Sequence, residues 1–360
     1  MSLRLAIRVD ASTRIGSGHV RRCLALASAA RREGASIVFV CRDLGLPVAR
    51  QLRQSGEDCL ELPRPQGDPV APTGVAHADW AQVDQMRDAA ETVAALAGST
   101  FDWVVVDHYS FDARWHRAIR EATGARVLVV DDLADRMLLA DLVVDHNHAI
   151  DHARKYARVN LSAAPVLGGP AHALLDPRYA TAPRYAFHPE VRSIGVFMGG
   201  ADEGNYAAMA WRALREHLAF TGPVEIVSTS ANPHLDSLHE LAARDPAVDI
   251  SLDLPDLCAF FARHDLQVGA GGGATWERCC LGSPTVAIVV AENQRQVLTP
   301  LTDRRVLRIV PHTPPTAADI AAEVRRLIDS PAEREDLSRR GRELVDGLGT
   351  VRVLHHLRQP

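Results

Sequence analysis

The chain is short of aromatic residues, 5% of 360 positions, and carries only six cysteines. Cys23, Cys41, Cys59, Cys258, Cys279 and Cys280 show no C-x-x-C spacing. That argues against a zinc site or a disulfide framework and for free, buried thiols in a reducing compartment. No apolar run approaches the roughly 20 residues of a membrane span. No charged segment leads into an apolar one at the start, so no secretory signal is expected, and the expected location is cytoplasmic with no membrane partner. Positive charge is not in excess either. A net charge of −5 gives no basic face, so no nucleic-acid partner is expected. The pairs Arg21-Arg22 and Arg31-Arg32 read as solvated helix faces.

What is present is a repeated alternation of short apolar runs and amphipathic stretches. Residues 3–9, 36–40, 103–106, 126–130 and 142–144 are β-branched and apolar on both faces. Such runs fit a parallel sheet covered by helices on both sides. Helices are expected after residue 18 and over 84–96, and a polar, Pro- and Gly-rich loop or insertion over 63–79. A linker over 177–190 precedes a second array, with strands at 193–198, 224–228, 265–270 and 285–290. The fold class is therefore α/β, two doubly wound Rossmann-like domains facing a cleft. The expected domains are 1–185 and 190–345, with 346–360 forming a C-terminal helix that packs back on the first domain.

Four loops carry the chemistry. Gly16-Ser17-Gly18-His19 joins the first strand to its helix. Its glycines allow an anion to approach a helix N-terminus, and His19 suits proton transfer near neutral pH. Gly271-Gly272-Gly273-Ala274-Thr275 follows the strand at 265–270. Glycine at this density is costly to fold, so close approach of a ligand is expected. The amides of Gly273, Ala274 and Thr275 suit a diphosphate, and Glu277 two ribose hydroxyls. Ala291-Glu292-Asn293-Gln294 and Asp107-His108-Tyr109 also end strands on the ligand edge of such sheets. Their alternative roles are a helix cap at Asn293 and backbone satisfaction at Asp107 and His108. Asp131, Asp132 and Asp135 similarly end a strand. The run Asp145-His146-Asn147-His148 fits no standard zinc spacing, and neither a metal nor a cofactor is expected.

In order along the chain stand Arg8-Val9-Asp10, Ile15-Gly16-Ser17-Gly18-His19, Val106-Asp107-His108-Tyr109, Val130-Asp131-Asp132, Phe197-Met198-Gly199-Gly200-Ala201-Asp202, Gly272-Gly273-Ala274-Thr275-Trp276-Glu277 and Ala291-Glu292-Asn293-Gln294. Together they resemble the UDP-sugar hydrolases of pseudaminic acid biosynthesis, over roughly residues 3–350. They are more distantly similar to the MurG-type N-acetylglucosaminyltransferases, which share the two-domain GT-B fold. The resemblance implies metal-independent hydrolysis of UDP-2,4-diacetamido-2,4,6-trideoxy-β-L-altropyranose to UDP and free sugar. It implies work alongside other nonulosonic acid enzymes that supply flagellin glycosylation. By the same resemblance His19 is the general base and Tyr109 and Asn293 line the sugar, while similarity to the MurG-type fold puts the uracil near the segment Leu252–Leu257, Leu254 included. Asp10, Gly16, Gly18, Gly200 and Gln294 are then expected at the substrate. Two alternatives stay open: a UDP-N-acetylhexosamine-dependent glycosyltransferase and a non-catalytic nucleotide-sugar binding protein.

Overall fold

β-Branched runs become strands here because both of their faces are covered. In β1 (Arg4–Val9), Leu5, Ile7 and Val9 point to one face of the sheet and join Val353, Leu354 and Leu357 in a single core cluster. Ala6 points to the other face and packs with Phe111, Trp115 and Ile119. Each large aliphatic side chain buried this way contributes about 1.5–3 kcal/mol. The computed structural model describes residues 2–66, 74–290 and 292–359, with only the backbone for Glu292, Asn293 and Gln296. Residues 67–73 of the expected 63–79 loop therefore lie outside the described residues.

The chain divides into two units, Met1–Pro177 with Leu348–Pro360, and Arg178–Gly347. The division falls after Pro177, ahead of the expected 185–190. Among the described residues the first unit holds seven parallel strands: β1, β2 (Ser36–Arg42), β3 (Cys59–Leu62), β4 (Trp103–Asp107), β5 (Arg126–Val130), β6 (Leu142–Asp145) and β7 (Val166–Gly168). Their spatial order is β3-β2-β1-β4-β5-β6-β7. β1 pairs with β2 at Arg4↔Ser36 and with β4 at Val9↔Asp107, so the loops after β1 and β4 leave side by side. This is the switch point where a doubly wound sheet presents its ligand edge. The helix Gly349–Leu357 belongs to this unit and packs on the helix Gly18–Arg32. The indole of Trp103 donates to the carbonyl of Leu357 at 2.9 Å.

The second unit holds β8 (Ile194–Phe197), β9 (Val224–Ser228), β10 (Val248–Leu252), β11 (Leu266–Ala270), β12 (Thr285–Ile288) and β13 (Arg308–Ile309) in the order β10-β9-β8-β11-β12-β13. Its core is separate, built from residues such as Ile194, Val196, Val268, Val286 and Leu327. All six cysteines are free and buried. Among the described residues, no helix is long and apolar enough to cross a membrane.

Candidate functional site

In the first unit the chain leaves β1 through a turn tied by Ser12. Its hydroxyl accepts from the Ile15 amide at 3.1 Å and its carbonyl from the Gly16 amide at 2.8 Å. Gly16 sits at φ +75°, where side chains other than glycine are strained. The helix Gly18–Arg32 starts with no side-chain cap, which leaves its first amides open to a ligand. His19 lies in the first turn and is buried.

Asp107, the last residue of β4, receives His19. Nδ1 of His19 lies 2.6 Å from Oδ1 of Asp107. Arg22, one helical turn on, grips the same carboxylate from Nε and Nη2, both at 2.5 Å. Burial alone would raise the pKa of Asp107, but Arg22 and His19 outweigh it and hold the carboxyl well below its usual range. The carboxylate is therefore ionised, and the short contact assigns the proton to Nδ1. The more distant guanidinium, 3.1 Å from Nδ1, does not change that assignment. Nε2 of His19 is left with the basic lone pair, on the ring edge away from Asp107.

Tyr109 stands edge-on to His19, with ring centroids 4.8 Å apart. Its hydroxyl donates to Asp132 at 2.5 Å, and the other oxygen of Asp132 accepts from Asn147 at 2.7 Å. Burial and the Asp132 charge push the Tyr109 hydroxyl well above its ordinary pKa. It therefore stays protonated and donates to Asp132. His146 accepts from Arg22 at 3.3 Å, and burial together with Arg22 pushes its pKa down to about 4. Lys155, the single lysine of the chain, bridges the Asp132 carbonyl and the Asp145 carboxylate, each at 2.6 Å.

Several expected residues face elsewhere. Asp10 is fully buried, bonded to Nη1 and Nη2 of Arg8 and to the Arg42 amide, and it supports the sheet interior rather than a substrate. His108 points the same way, 3.3 Å from Asp10. Asp131 is buried against Arg136 and Tyr156. Arg22 is the reverse case. It was expected on a solvated face, yet only 11% of its side chain is exposed, because Asp107 draws it inward.

In the second unit the Ala274–Leu281 helix follows β11 directly. A Cβ added at Gly272 or Gly273 would meet nothing within 4 Å, and neither has a positive φ. Neither backbone strain nor protein packing therefore demands glycine there. Gly271 differs, since a Cβ there would strike Leu298. The Thr275 and Trp276 amides turn back onto the Gly272 and Gly273 carbonyls, and no side chain caps the helix. The amides ahead of them, from Gly273 and Ala274, are among those an α-helix leaves without an intrahelical acceptor. Thr275 corrects the expectation: its amide is engaged, and its buried hydroxyl accepts from Arg278 at 3.3 Å. The turn after β8 shows the contrast. There Asp202 caps the Tyr206–Arg212 helix by accepting from the Tyr206 and Ala207 amides, and Gly200 receives Thr229 on its carbonyl.

Glu277 is half-buried in the first turn of the Ala274–Leu281 helix. Leu254 is half-buried in the loop that follows β10 and leads into the helix Cys258–Arg263, which packs beside the Ala274–Leu281 helix. Gln294 is committed within the fold, its carbonyl oxygen accepting from the Val290 amide at 3.1 Å. The side chain of Asn293 lies outside the described residues.

No protein-family model matches the chain. It is 22% identical over 267 residues to the spore coat polysaccharide biosynthesis protein SpsG of Bacillus subtilis, covering 72% of this chain and 76% of that protein. It is 21% identical over 304 residues to the UDP-2,4-diacetamido-2,4,6-trideoxy-β-L-altropyranose hydrolase of Campylobacter jejuni, covering 82% and 95%. Among solved structures, MurG of Acinetobacter baumannii matches 99% of both chains with a TM-score of 0.66 at 14% identity. The glycotransferase of kitacinnamycin matches 99% of this chain and 98% of its own, with a TM-score of 0.69 at 17% identity. By fold the chain is a GT-B protein, and by sequence a distant relative of the trideoxy-sugar hydrolase.

Proposed function

We propose that the protein is a metal-independent enzyme that hydrolyses a UDP-linked 2,4-diacetamido-2,4,6-trideoxyhexose to UDP and the free sugar, with inversion at C1. The observation that carries the reading is His19, in the first turn of a helix with no side-chain cap and tied at Nδ1 by Asp107, which leaves Nε2 as its acceptor. Similarity to the Campylobacter hydrolase supplies the substrate class. The second unit takes the nucleotide: the Gly273 and Ala274 amides meet the diphosphate, Glu277 the ribose, and the loop at Leu254 the uracil. Nε2 of His19 removes a proton from water as its oxygen bonds to C1. The C1–O bond to UDP breaks, and amides and helix dipole receive the charge on the departing diphosphate. Tyr109 and Asn293 line the sugar.

The test is incubation with a panel of UDP-sugars, following UDP release and the anomer first formed by NMR. Release without an acceptor, with the inverted anomer first, is the expected result. Release only when a hydroxyl acceptor is added would make the protein a transferase. Tight binding without release would make it a binding protein. His19→Asn is expected to lower kcat by ~10²–10⁴-fold while UDP binding is retained.

A further inference from the structure

The loop ahead of the helix Gln85–Leu96 carries the aromatic residues His77 and Trp80. It holds a short turn, Ala78–Ala81, whose Trp80 and neighbouring His77 reach Tyr109. The Ser110 hydroxyl donates to the His77 carbonyl at 2.6 Å and accepts from the Ala81 amide at 3.1 Å. Arg14, from the glycine turn after β1, pairs with Asp79 at 2.5 Å. The turn is thereby tied both to the end of β4 and to the loop that presents the histidine.

These ties bring three rings together. His77 and Trp80 lie 4.6 Å apart at 32°, and Trp80 lies 5.6 Å from Tyr109 at 44°. Tyr109 in turn touches the edge of His19. His77 and Trp80 are half-buried, so part of each ring is open, whereas Tyr109 is 5% exposed. An aromatic wall thus runs outward from the proton acceptor, beside the polar groups of Asp132 and Asn147.

A pyranose has an apolar face of C–H bonds and a polar rim of hydroxyl and amide groups. Aromatic faces take the first and side-chain carboxylates and amides the second. We infer that Trp80, backed by His77, is a specificity-determining platform for the hexopyranose ring of the substrate. This rests on the sugar-nucleotide reading above and assigns the sugar's apolar face to the Ala78–Ala81 turn.

The test compares Trp80→Ala, Trp80→Phe and His77→Ala in the full chain, using the UDP-trideoxy sugar as substrate and UDP as competitive inhibitor. Trp80→Ala is expected to raise KM roughly tenfold, with the inhibition constant of UDP within about twofold of wild type. Trp80→Phe restores most of the loss, and His77→Ala shows a smaller rise of the same kind. A KM unchanged in Trp80→Ala, or a UDP constant that rises in step with it, overturns the platform. If wild type releases no UDP, the hydrolase reading fails, and binding then decides the platform. A tighter affinity for the UDP-sugar than for UDP, abolished in Trp80→Ala, supports it. Equal loss for both ligands overturns it.

Discussion

Asp107 receives Nδ1 of His19, two nitrogens of Arg22 and, at 3.6 Å, the Cys23 thiol. The arrangement separates charge from orientation. Arg22 neutralises the carboxylate, while the hydrogen bond still fixes the plane and tautomer of the imidazole. Asp107→Asn removes the charge that balances buried Arg22 and lets an amide donor face Nδ1. Turnover is expected to fall by ~10²–10⁴-fold, as when a triad aspartate is replaced. Thermal stability falls as well, since an unbalanced buried charge costs about 3–5 kcal/mol. Steady-state kinetics with a melting curve checks both, and a variant with wild-type kcat would remove Asp107 from the mechanism. The placement of His19 and Tyr109 at the ends of neighbouring strands was legible in the sequence, because polar residues closing an apolar strand, or opening the helix after it, fall at one edge of the sheet. Arg22 was not legible. Its i,i+3 spacing from His19 was visible, but the carboxylate that turns it inward lies 85 positions away.

Glycines at the two phosphate-type turns answer to different demands. Gly16 is required by its φ of +75°, whereas Gly272 has an ordinary φ and open space around it. Gly272→Ala is therefore expected to fold normally, with stability equal to wild type or higher by ~0.4–1 kcal/mol from the stiffer unfolded chain. UDP affinity should nonetheless drop roughly tenfold, about the loss of one hydrogen bond to a charged group. Gly16→Ala should instead lower stability by about 1 kcal/mol or more. Calorimetric UDP titration and thermal melts separate the two, and a Gly272→Ala variant with wild-type UDP affinity would move the nucleotide elsewhere. The elements themselves were unevenly legible. Every interior strand announced itself as a run of apolar, β-branched residues. The strands that escaped, β3, β7, β10 and β13, are the four sheet edges. Edge strands are short and wetted along one side, so Val248–Leu252, for example, is buried only at Val248 and carries no continuous apolar signal.

Each unit has its own core and its own acid sensitivity. In the first, burial and then Arg136 push the pKa of His116 down to about 3, and burial and then Arg22 push that of His146 to about 4. The unfolded chain protonates these groups from about pH 6.5 downward. The folded unit does not, so each withdraws stability as pH falls below 6.5, reaching ~2 kcal/mol apiece near pH 5. In the second unit burial would raise the pKa of Glu225, but His264, Arg263 and Ser251 outweigh it and lower it to about 2. Its contribution is complete above about pH 4.5 and is lost only between 4.5 and 2. Hydrogen exchange between pH 7 and 4.5 should therefore show β1, β4 and β5 losing protection before β8, β9 and β11. Parallel loss in both sheets from pH 6.5 would contradict this.

The helix Gly349–Leu357 closes the core in which β1 sits, although the whole second unit is written between them. On the ribosome the first unit therefore begins earliest and finishes last. The first sheet lacks part of its apolar cover until residue 357 has emerged, by which time the second unit has its full sequence available. A nascent chain stopped in that interval exposes the apolar surface that Val353, Leu354 and Leu357 will cover. The second unit can thus complete its own core before the first has all of the chain that covers β1.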